Sequence, residues 1–135
     1  MSDNQNEQPW SEWLTKAEED LISLESLVKH QDGSPSTGCF LAQQIAEKYL
    51  KALVIFVKLE VEKTHDLLKL SLKLEFFFPE ITQQLKNELT ELTRYYIETR
   101  YPGDYPEFYW KQCQEAYEMA KKIKDFVVDK LGTAS

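Results

Sequence analysis

Apolar residues recur along this chain at spacings of three and four, in stretches separated by proline and glycine. That period is the signature of helices with one buried side. The first stretch, from about Ser11 to Lys29, lines up Trp10, Leu14, Ala17, Leu21, Leu24 and Val28, with Ser11 offered as N-cap. Glu12, Glu18, Glu19, Asp20 and Glu25 fill the opposite arc, which reads as a solvated face. The second, from about Ser36 to Leu59, steps through Cys39, Ala42, Ala46, Tyr49, Leu53 and Phe56. Its far side carries a polar patch of Gln43, Gln44, Glu47, Lys48 and Lys51, flanked by apolar Leu41, Ala52 and Ile55. A helix with apolar surface on so much of its circumference is predicted to be central, or shared with a second copy of the chain.

Thr64 offers an N-cap to a shorter helix, His65 to about Phe77, whose Leu67, Leu68, Leu70, Leu74 and Phe78 form the apolar side and which Pro79 ends. A fourth helix, about Glu80 to Thr99, repeats Ile81, Leu85, Leu89, Leu92 and Tyr96. A fifth, about Glu107 to Leu131, repeats Cys113, Ala116, Ala120, Ile123 and Val127, with Gly132 as its stop. No period-two run bounded by hairpin turns occurs. The fold class is therefore all-α: an antiparallel four-helix bundle with one additional short helix. The 135 residues divide into a polar leader (1–10), one helical domain (11–131) and a short tail (132–135).

Composition changes this picture little. No apolar run approaches the roughly 20 residues of a spanning helix, and the polar, acidic start resembles no secretion signal, so the cytoplasm is expected. Cys39 and Cys113 sit within apolar helical patterns and read as reduced core residues, with a disulfide between them as the alternative; no metal site or cofactor is implied. The net charge of −7 is concentrated, with −6 of it in residues 1–35. The remainder is nearly neutral, which allows a local basic surface but not the footprint of a duplex-DNA binder.

Three segments stand out: Gln43-Gln44-Ile45-Ala46-Glu47-Lys48-Tyr49-Leu50-Lys51-Ala52-Leu53, then Thr64-His65-Asp66-Leu67, then Tyr95-Tyr96-Ile97-Glu98-Thr99-Arg100-Tyr101-Pro102. In that order, with Ala17 and Asp20-Leu21 in the first helix, they resemble the HEPN domain family, the higher eukaryote and prokaryote nucleotide-binding helical bundles. The resemblance covers nearly the whole chain. It implies a compact, usually homodimeric bundle, often encoded beside a minimal nucleotidyltransferase. Some members bind nucleotides, and others are metal-independent ribonucleases of toxin-antitoxin or defence systems.

The ribonuclease members carry an arginine followed four to six residues later by a histidine. Here the only arginines are Arg94 and Arg100, the only histidines His30 and His65, and both histidines precede both arginines. The motif is absent, and the residue five after Arg100 is Tyr105, whose phenol is a poor proton shuttle near neutral pH. The expectation is a noncatalytic module that binds a nucleotide, an RNA end or a nucleotidyltransferase partner. The alternatives are a ribonuclease with a substitute for the missing histidine, and a purely structural partner.

Two groups of residues are candidates for contact with such a ligand. Gln44, Lys48 and Lys51 lie along one face of the second helix, an arrangement suited to phosphate oxygens, although Glu47 and Lys51 also make an ordinary intrahelical pair. Arg100, Tyr101 and Tyr105 lie in a loop fixed by Pro102 and Pro106, where an arginine and tyrosines can hold a phosphate and stack a base, or where Arg100 pairs with Asp104 in a rigid turn. His65 has a plain role in the first turn of its helix beside a ligand or acid-base role.

Overall fold

The computed structural model describes residues 9–101, 103 and 107–133. Its five helices are α1 (Ser11–His30), α2 (Pro35–Phe56), α3 (Leu67–Leu74), α4 (Ile81–Glu98) and α5 (Trp110–Thr133), with no strand among the described residues. Among the described residues no helix is long and apolar enough to cross a membrane.

The ends of the helices depart from the sequence reading in instructive ways. Ser11 is already helical, and Trp10 occupies the N-cap position of α1. Pro35 opens α2 at a position where its missing N–H costs nothing. Thr64 is not the cap of α3: its hydroxyl accepts from the backbone N–H of Asp66, and Asp66 caps the helix by accepting from the N–H groups of Leu68 and Lys69. A carboxylate is the stronger acceptor for a helix N-terminus, so the cap falls two residues later. At the far end α5 runs through Gly132 to Thr133.

α2 is the axis of the bundle. It touches every other helix, and α5 packs along it most extensively. Small residues make that approach close: Ala42 and Ala46 of α2 and Ala116 and Ala120 of α5 are all fully buried. At Gly38 a Cβ would stand 2.2 Å from Cys113 Sγ, so only glycine fits there. Around this contact Leu24, Leu50, Leu53, Leu70, Leu85, Leu89 and Leu92 close the core. Each buried leucine contributes roughly 1.5–3 kcal/mol of transfer free energy. Cys39 and Cys113 are both buried and free.

α1 lies against α2 and α5, while α3 and α4 lie against α2 from its other side; α1 contacts neither α3 nor α4 among the described residues. The acidic arc of α1 is only partly solvated. Glu18 accepts from Tyr49 at 2.7 Å, Glu25 from Tyr117 at 2.6 Å, and Asp20 from Lys48, so these acids fasten α1 to its neighbours. Of the α2 flank that suggested a second copy, Ala52 is fully buried and Leu41 packs on the core of the same chain. Centrality within one chain accounts for most of that apolar surface.

Candidate ligand-binding site

Gln43, Glu47 and Lys51 recur every four residues along α2 and form a buried polar line down the helix. All three are at most 5% exposed. Burial of a carboxylate is costly unless every lone pair it can use is matched, and Glu47 is well matched. Its Oε2 accepts from Lys51 Nζ at 2.8 Å, while Oε1 accepts from Gln43 Nε2 at 3.2 Å and faces His65 Nδ1 at 2.9 Å. Gln43 also donates to the His65 carbonyl at 2.9 Å, which fixes the stretch leading into α3 onto α2.

Because a carboxylate only accepts, Nδ1 of His65 carries a proton toward Glu47; Nε2 accepts a hydrogen bond in the neutral ring and donates one, as to a phosphate oxygen, when it is protonated as well. The His65 side chain is 46% exposed. Its ring stacks on Tyr96 of α4, with centroids 3.9 Å apart and planes 14° apart. Arg100 in turn lies over the Tyr96 ring, Cζ 4.6 Å from its centroid. At the other end of the line Lys51 Nζ sits 5.6 Å from the centre of the Trp13 ring of α1. An unbroken series of contacts therefore runs from Trp13 through Lys51, Glu47, His65 and Tyr96 to Arg100.

The sequence-predicted residues are distributed over this arrangement unevenly. Arg100 and Tyr101 are exposed at its α4 end. Arg94, the other arginine, is held by Glu91 at 2.6 Å and Glu98 at 2.7 Å, and the hydrogen bond to Glu98 raises its pKa further. Among the described residues Arg100 has no carboxylate partner. Tyr105, Asp104 and both loop prolines lie outside the described residues. Gln44, Lys48 and Lys51 do not share one open front: Gln44 donates to Gln43 at 2.7 Å, Lys48 pairs with Asp20, and Lys51 is buried against Glu47. The Glu47–Lys51 intrahelical pair is buried, with the Trp13 ring of α1 beside the Lys51 ammonium.

Gln43, Glu47, Tyr96 and Trp13 had not been singled out for chemistry. The available signal was the recurrence of polar residues at 43, 47 and 51, one per turn along a single face of α2. No cluster of three or more metal-ligating side chains occurs among the described residues.

A family model of the HEPN domain matches residues 10–131. The chain belongs to the HEPN domain family. Two solved structures share its architecture. The protein TT1696 from Thermus thermophilus is 31% identical, with a TM-score of 0.77 over 90% of this chain and 97% of that one. ST0689, an archaeal HEPN homologue, is 25% identical, with a TM-score of 0.72 over 92% of this chain and 98% of that one. No curated protein sequence matches.

Proposed function

We propose that this HEPN domain is a noncatalytic binding module whose ligand is a nucleotide or an RNA end, with Arg100 and His65 touching its phosphate and Tyr101 flanking it. The observation that carries this reading is the convergence of the α2 line, the Thr64–Leu67 segment and the end of α4 around one buried carboxylate, Glu47. A seam that only held helices together would be at least as stable if built from apolar side chains. This one instead orients a half-exposed imidazole beside an exposed guanidinium, two groups suited to phosphate oxygens. Behind that front Lys51 sets the position of Glu47, while Lys48 is neutralised by Asp20 and the Gln44 amide is engaged by Gln43. The missing arginine-to-histidine motif supports binding over cleavage.

One observation favours a second reading. A histidine oriented by a carboxylate and left open on its far side is the arrangement of a general acid-base, so His65 is the candidate substitute for the histidine that a ribonuclease of this family would need. A thermal-shift panel of ribonucleotides combined with an RNA-degradation assay separates the two. Stabilisation by a nucleotide without RNA loss supports the module. RNA loss that disappears in both His65→Ala and Arg100→Ala overturns it, and a flat response to every nucleotide leaves a protein-interaction role.

A further inference from the structure

The outer side of the α1–α2 contact holds a concave cavity of about 280 Å³, lined by Glu12, Trp13, Lys16 and Lys48. Its volume lies near the lower end of small-molecule sites. Trp13 is the unusual member. Trp10, three residues before it, packs edge-on against Phe56 with centroids 4.7 Å apart, and Leu14, one residue after it, packs on the apolar core. Trp13 joins neither: it is half-buried, outside the packed core cluster, and borders both this cavity and the Lys51 ammonium. An indole placed at the edge of a cavity rather than in a core is a stacking surface.

The lining chemistry narrows what stacks there. Lys16 and Lys48 supply N–H donors and aliphatic stems, and Glu12 supplies an acceptor. Asp20 already holds Lys48, and Glu19 lies 3.7 Å from Lys16, so the acids around the cavity oppose an anion. A planar, uncharged ring with both donors and acceptors on its edge fits this lining better than a phosphate does. The cavity also adjoins the Glu47 seam through the shared contact of Trp13 with Lys51.

We infer that this cavity is a nucleobase subsite, in which a base of a single-stranded oligonucleotide end stacks on Trp13 while its phosphate lies toward His65 and Arg100. The inference rests on the proposed function for the phosphate and adds the base and the length of the ligand. Stacking of a base on an aromatic side chain changes affinity by roughly 10- to 100-fold.

The test titrates the full chain with two probes, the 5′-phosphorylated dinucleotide pApA and ribose 5-phosphate, which has no base. The wild-type protein is expected to bind pApA at least about 10-fold more tightly, and Trp13→Ala to lose roughly 10- to 100-fold for pApA with ribose 5-phosphate unchanged. Trp13→Phe, which keeps a ring and guards against simple unfolding, should retain most of the affinity, and Lys16→Ala should weaken pApA a few-fold. The subsite is overturned if folded Trp13→Ala binds pApA as tightly as wild type. It is equally overturned if the wild type does not prefer pApA, a result that leaves the phosphate reading standing. If neither probe binds, both readings fall.

Discussion

His65 Nδ1 lies 2.9 Å from Glu47 Oε1, and this one contact joins the start of α3 to the middle of α2. The same carboxylate holds the Lys51 ammonium at 2.8 Å, so a buried anion is shared between a cation and an imidazole. The proposed function turns on how that anion is satisfied.

Glu47→Ala removes the counter-charge of a buried ammonium and should cost about 3–5 kcal/mol in urea denaturation. The double variant Glu47→Met with Lys51→Met should recover most of that loss, because an apolar pair of similar volume removes the unpaired charge along with its partner. Equal destabilisation of the single and double variants would show that the pair is not buried as described.

Gly38→Ala should destabilise the bundle by about 1–3 kcal/mol, since its methyl would overlap Cys113 Sγ. Cys113→Ala removes the obstructing sulfur. In a double-mutant cycle read by thermal melting, the two substitutions together should therefore cost clearly less than the sum of their separate effects.

The Tyr49–Glu18 hydrogen bond carries a pH signature. Donation from Tyr49, aided by Lys124, holds the Glu18 carboxyl below its ordinary value of 4.5. A carboxyl depressed in the folded state contributes stability that is present above its ordinary range and lost as pH falls through its folded value. Tyr49 is itself pushed up, by burial and then by the hydrogen bond to Glu18, so its contribution is present below the ordinary phenol value of 10.0 and is lost only as pH rises through the higher folded one. Melting temperature should accordingly fall less steeply below pH 4.5 in Tyr49→Phe than in wild type. An unchanged acid limb would contradict the assignment.

The two arginines should behave differently. Arg94→Ala breaks exposed pairs with Glu91 and Glu98, and should cost under about 1 kcal/mol of stability and leave ligand binding intact. A loss of binding in this variant, measured by calorimetry, would move the site away from Arg100.

The helical bundle was legible because burial along a helix repeats at 3.6 residues, and Cys39, Ala42, Ala46, Tyr49 and Leu53 obey that period almost without exception. Termini were less legible. Thr64 and Asp66 both suit a cap, and only the path of the chain after α2 selects Asp66. The candidate site was half legible: His65 and Arg100 stood out as the rare residues of suggestive segments, whereas Glu47 and Lys51 read as an ordinary intrahelical pair. Local spacing cannot tell an exposed i,i+4 pair from a buried one, since that depends on α1 arriving with Trp13 over Lys51. Tyr96, read as one more core residue of α4, is instead the half-buried ring shared by His65 and Arg100.

Calorimetric titration of a 5′-phosphorylated ribonucleotide into the wild type, Arg100→Ala and His65→Ala tests the central claim most directly. The account predicts saturable binding by wild type that weakens with added salt and falls roughly 10-fold or more in each variant, with the melting temperature nearly unchanged in Arg100→Ala and lowered in His65→Ala, which takes a partner from the buried Glu47 carboxylate. Binding of equal strength in all three folded proteins would contradict it.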